Sequence, residues 1–106
     1  MKADIQSVHF TADQKLIDFI QLRLDKLQKL NDQIVDTSVI LKLENTGQVK
    51  DKIAEFIVHI PGNKLVASSS SKSFEQSVDE SLDAIARQIK KVKGKMRDSA
   101  KSARNM

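Results

Sequence analysis

The stretch FEQSVDESLDAIARQIKKVKGKM, residues 74–96, decides how the rest of the chain is read. Its apolar residues Phe74, Val78, Leu82, Ile85, Ile89, Val92 and Met96 recur at steps of three and four, so they fall on one stripe of an α-helix of over twenty residues. Ser73, three residues before Gln76, offers a capping box ahead of the first turn. Gly94 weakens the far end, and residues 97–106 are read as a basic, flexible tail beyond a domain at 1–96. A helix with a single apolar stripe needs a surface on which to bury it. The residues upstream supply one.

Immediately before this helix, Leu65 to Ser69 reads as a short strand that leads through the serine run 68–71 to the helix start. Pro61-Gly62-Asn63 is a turn signal, and Lys52 to Ile60 a longer strand with Ala54, Phe56, Val58 and Ile60 on one face. Asn45-Thr46-Gly47 marks another turn. Ahead of it Val35, Thr37, Val39, Leu41 and Leu43 alternate with polar residues, the period of a half-buried strand. From Lys15 to Leu30 the period changes to that of a helix, with Leu16, Ile20, Leu24 and Leu27 in one stripe and Ile17 beside it. Thr11 and Gln14 have capping-box spacing at its start, and residues 3–10 form a first strand. The expected order is β-α-β-β-β-α. The α+β fold that follows is a four-stranded mixed sheet with both helices on one face, similar in layout to double-stranded RNA-binding domains. The first and second strands flank a helix and are expected to be parallel; the two hairpins extend the sheet antiparallel.

With 106 residues the chain has room for one core, and 40% apolar content fills a two-layer one. No apolar run is long enough for a membrane helix, no secretory signal core opens the chain, and there is no cysteine. A cytoplasmic protein without a membrane partner is expected. The net charge of +4 hides an asymmetry: residues 1–86 carry −3, and residues 87–106 carry +7. Such a block of cations suits a polyanionic partner.

Catalysis finds little support. His9 and His59, the two histidines, lie in expected strands with no metal-ligand spacing. Three glycines make no phosphate loop, and no serine sits in a nucleophile elbow. No enzyme, cofactor, metal or small-molecule substrate is expected. The helix surfaces say more. On the first helix Lys15, Lys26 and Lys29 share one sector with Arg23 at its edge, while Asp18 and Asp25 occupy the next. Phe19 and Leu22 also fall among these bases. They either reach a neighbouring core element or form an apolar spot in a contact surface. On the last helix Glu75, Asp79, Glu80 and Asp83 hold the first half, and Arg87, Lys90, Lys91, Lys93, Lys95 and Arg97 the second. This polarity complements the helix dipole, but six bases in eleven residues exceed what the dipole needs. Two basic ridges on one sheet face would read the shape of a folded RNA through its phosphates. The scarcity of aromatics argues against base stacking on the sheet. A generic double-stranded RNA module fits less well, because Glu75, Asp79 and Glu80 stand where its lysines would meet phosphate. A regulator that docks on protein partners through Phe19 and Leu22 is the other reading.

Three runs carry a family resemblance. They are LRLDKLQKL at 22–30, VHIPGNKLVA at 58–67, and Asp79 to Lys95 with ARQIKK at 86–91 inside it. Together they resemble the bacterial ribosome hibernation-promoting and ribosome-associated inhibitor family, also known as sigma-54 modulation proteins, in its short form. The resemblance implies the β-α-β-β-β-α fold and binding in the tRNA and mRNA channel of the small ribosomal subunit. It also implies inhibition of translation while idle ribosomes are preserved as growth slows. It assigns ribosomal RNA contacts to Arg23, Lys26 and Lys29 from the first helix and to Arg87, Lys91 and Lys95 from the second. Lys90 and Lys93 join this set on local charge. Ala84, where relatives often carry a lysine, and Phe74, in place of a common tyrosine, are departures. A short form without the long form's extra domain is expected to be monomeric away from the ribosome.

Overall fold

The alternating segments do form one sheet. In the computed structural model, which describes the backbone of residues 3–46 and 49–104 and the side chains of 3–44 and 51–92, the elements are β1 (Ala3–Val8), α1 (Gln14–Leu30), β2 (Asp36–Thr46), β3 (Val49–Ile60), β4 (Asn63–Ser71) and α2 (Phe74–Arg104). The order is the expected one. The strands lie β1-β2-β3-β4, with β1 parallel to β2 and the other two pairs antiparallel.

The core lies between one sheet face and both helices. From α1 come Leu16, Ile20, Leu24 and Leu27; from α2 come Phe74, Val78, Leu82, Ile85 and Ile89, with Val92 half-buried against them. Met96 lies outside the described side chains. In the sheet, Val39 pairs with Phe56 and Phe56 with Ala67, and all three are buried beneath the helices. Even-numbered β2 residues and odd-numbered β3 residues point to the other face, where Ile40, Ile53 and Ile57 are half-buried.

Several boundaries move, each for a local reason. The α1 cap is Asp13 rather than Thr11: its Oδ1 accepts from the Leu16 amide at 2.8 Å, which satisfies one orphan N–H at the positive end of the helix. Ser73 does cap α2, its Oγ accepting from the Gln76 amide at 3.2 Å. The Gln76 side chain, however, reaches forward to Glu80 at 3.1 Å, so the reciprocal half of the capping box is missing. β1 stops at Val8. His9 leaves the strand with φ 69° and turns Phe10 back to stack on Phe74, ring centroids 4.7 Å apart. The strands β2, β3 and β4 each run longer than expected, because the ladder continues until the turns leave no unpaired backbone. Asn45 and Thr46 belong to β2, Thr46 pairs with Val49, and Gly47 lies outside the described residues. Asn63 pairs with Ile60, so the second hairpin turns on Pro61 and Gly62 alone. Gly62 takes φ +80°, as the second position of a type II turn requires. Val35 precedes β2 and is 62% exposed, outside the buried face assigned to it from periodicity. Finally, α2 continues through residues 97–104, the segment read as a tail.

Two polar residues on α2 decide how closely it lies on the sheet. Ser77 and Ser81, one turn apart, are buried; Ser77 Oγ donates to the Lys52 carbonyl at 2.5 Å and Ser81 Oγ to the Ala54 carbonyl at 3.0 Å. Short side chains let the helix approach β3, and each buried hydroxyl is satisfied by a β3 carbonyl. Ser81→Ala is expected to destabilise the fold by about 1 kcal/mol, measured by urea unfolding, because a net hydrogen bond is lost. On the other flank, Gln88 Nε2 donates to the Val66 carbonyl of the edge strand β4 at 2.9 Å. This contact blunts an edge that could otherwise pair with a further strand.

Candidate nucleic-acid interface

The two helices run in the same direction. Arg23 meets Asp79, and one groove between the helices is lined by Arg23, Lys26, Leu27 and Leu30 from α1 and by Asp79, Leu82, Asp83 and Ala86 from α2. Residue numbers rise together along both walls. The topology requires this, since α1 returns from the end of β1 and α2 from the end of β4, and β4 runs in the direction of β1 and β2. The basic C-terminal halves of both helices therefore lie at the same end of the domain. The acidic N-terminal half of α2 lies at the other.

Around the groove the cations divide. Lys26 and Lys29 are exposed on α1 beside Leu22, with Asp25 and Gln28 completing that surface. Arg87, Lys90 and Lys91 are exposed on α2. Helical spacing aligns Lys90 with Asp83 and Ala86 on the groove wall. Arg87 and Lys91 instead line a shallow depression with Ala84 and Gln88, toward β4. The arrangement is two ridges with an apolar-floored furrow, and not one continuous patch. Lys93 and Lys95 continue α2, but their side chains lie outside the described residues. Lys15 is exposed near the start of α1, roughly 16 Å of helix rise from Lys26.

Arg23 differs from the other bases. Its Nε donates to Asp79 Oδ1 at 2.9 Å, and its guanidinium lies 4.7 Å from the centre of the Phe19 ring. Among the described residues no ion pair engages Lys26, Lys29, Arg87, Lys90 or Lys91. The nearby acids on α1 are held otherwise: Gln14 donates to Asp18 at 2.8 Å, and Gln21 to Asp25 at 2.9 Å. Four lysines and an arginine thus stand outside any ion pair among the described residues at one end of the fold.

Phe19 and Leu22, left open between core and contact surface, separate. Phe19 packs partly buried against the core and beneath Arg23, whereas Leu22 is 69% exposed between the lysines. His59 lies in β3 as expected, and its Nδ1 meets Asp36 Oδ1 at 2.5 Å across the β2–β3 pair. At the acidic end, the Ser69 hydroxyl and then the Gln76 amide hold the Glu80 carboxyl below the usual glutamate range. Bonds to the ionised form act in this direction, so their contribution is complete at neutral pH and fades as pH falls through the lowered value. Among the described residues no group of three or more His, Asp or Glu is gathered as a metal site. Among the described residues no helix is long and apolar enough to cross a membrane.

A mixed four-stranded sheet backing two parallel helices with basic ends defines an α+β domain with a candidate polyanion-binding face. Residues 3–97 match the family model described as "Sigma 54 modulation protein / S30EA ribosomal protein", and the chain belongs to that family. It is 28% identical over 103 residues to the ribosome hibernation promoting factor of Pseudomonas putida, covering 97% of each chain. It is 26% identical over 97 residues to that of Escherichia coli K12, covering 92% of this chain and 98% of the relative. A ribosomal subunit interface protein from Coxiella burnetii shares the fold with a TM-score of 0.80 at 20% identity, over 89% of this chain and 99% of that one. The N-terminal domain of Thermus thermophilus Protein Y does so with a TM-score of 0.72 at 19% identity, over 84% and 94%.

Proposed function

We propose that the protein is a cytoplasmic, non-catalytic ribosome hibernation factor. It binds the small ribosomal subunit in the tRNA and mRNA channel, contacts ribosomal RNA through the two basic ridges, and inhibits translation while preserving idle ribosomes. The observation that carries this reading is the parallel pairing of the helices, which gathers Lys26, Lys29, Arg87, Lys90 and Lys91 at one end of the domain, none of them in an ion pair among the described residues. Lys93 and Lys95 are assigned to the same contact set from the sequence, and Arg23 lines the groove from α1. The family membership and the names of the relatives support the ribosome as the partner. The acidic start of α2, with Glu75 exposed in its first turn, disfavours a generic duplex-binding module, which would present cations there.

Binding of this kind is dominated by displaced counterions. If about six phosphates are neutralised, affinity for purified small subunits falls roughly a thousandfold between 50 and 200 mM salt. Co-sedimentation across that range is the test. Stoichiometric binding at low salt with a steep decline is the expected result. Absence of binding at every salt concentration would move the exposed Leu22 surface, and with it a protein partner, to first place.

A further inference from the structure

Among the described residues Arg23 is the one base of the two ridges held in an ion pair, and its partner lies in the acidic half of α2. We propose that Asp79 acts as an internal counterion that holds Arg23 out of the phosphate-binding set until a phosphate displaces it, making Asp79 a determinant of how tightly and how selectively the protein binds RNA. The inference rests on the RNA-binding reading above and adds a role for an acidic residue within it.

The geometry is specific to this pair. Arg23 Nε meets Asp79 Oδ1 at 2.9 Å, and the side chains remain 44% and 49% exposed. The guanidinium is stacked over Phe19, which is itself packed against the core, so the arginine is held in place from below and from one side. Asp83 lines the same groove one turn further along α2. An arginine so paired neutralises no phosphate and displaces none of the counterions condensed on the RNA, whose release drives binding. An ion pair this exposed holds its partner by no more than about fivefold, which a well-placed phosphate can overcome. Displacement requires an anion that reaches the mouth of the inter-helix groove. Folded RNA that matches both ridges can do so; an RNA that touches only one ridge gains nothing from Arg23.

The test is a double-mutant cycle on the full chain, comparing wild type, Arg23→Ala, Asp79→Asn and the double variant. Affinity for purified small subunits is measured from 50 to 200 mM salt, and melting temperatures confirm folding. Asp79→Ser serves as a second neutral variant in case the asparagine oxygen retains the Nε bond. Arg23→Ala alone is expected to weaken binding by less than about threefold. Neutralising Asp79 should tighten it by about threefold or more at 50 mM, and the loss across the salt range should grow by about threefold, the contribution of one further phosphate. In the double variant both gains vanish. Weaker binding after neutralisation of Asp79 would show that it positions Arg23 instead, and a gain that survives without Arg23 would reduce the effect to general charge. Either result overturns the proposal, as does a larger loss from Arg23→Ala alone or no gain on neutralisation. Wild-type protein that binds no subunit at any salt overturns the underlying RNA-binding reading, and this inference with it.

Discussion

Reversing Lys26 and Lys91 to glutamate together abolishes co-sedimentation with small ribosomal subunits and leaves the protein folded. The two residues stand on different ridges, one above the groove on α1 and one on the β4 flank of α2, so the pair of changes removes a contact from each. A hydrogen bond to a charged group contributes about 1.5–3 kcal/mol, so two lost contacts weaken binding roughly a hundredfold or more, before the repulsion of two new carboxylates is counted. The salt dependence should also become shallower, by about 0.9 in the logarithmic slope for each phosphate released. Stability should hardly change, because both lysines are exposed, neither joins an ion pair among the described residues, and lysine and glutamate have similar helix propensity. Binding that survives this double reversal with an unchanged salt slope would falsify the two-ridge interface.

Phe56→Ala has the opposite profile: it leaves every surface charge in place and attacks the fold. Phe56 is fully buried at the centre of β3, with Val39 on one side, Ala67 on the other and both helices above. Truncating a phenylalanine at such a site costs about 3–5 kcal/mol. A domain of this size has only about 5–15 kcal/mol in total. The melting temperature should fall on the order of 15 °C or more, read by circular dichroism. Ile57→Ala, one residue along but on the open face, provides the control. Its side chain is already half-exposed and should lose less than half as much. Equal losses at the two positions would mean that the open face is as tightly packed as the helix-covered one.

Much of the fold was legible in the sequence. The α1 and α2 stripes, the alternation in β2 and β3 and the Pro61-Gly62 turn were readable because each depends on periods of three to four or of two, and on local backbone preference. Helix starts were less so. Thr11 and Asp13 are both competent caps, and the choice fell to the residue whose carboxylate reaches the Leu16 amide. Strand ends were extended by pairing with neighbours rather than by their own residues, as the serine run at the end of β4 illustrates. The bases of the candidate interface could be named from composition and helical phase. Their state of pairing could not.

What the sequence determined by itself, then, was the order of elements, the apolar faces and the segregation of charge along α2, since all of these repeat over a few residues. Tertiary structure alone decided that α1 and α2 run in parallel, so that their cations share one end. It also decided that Ser77 and Ser81 face β3 carbonyls, that Phe19 joins the core while Leu22 does not, and that Arg23 is claimed by Asp79. The physical reason is distance along the chain. Arg23 and Asp79 are 56 residues apart, and no local preference encodes a contact that exists only once the sheet has brought both helices onto one face.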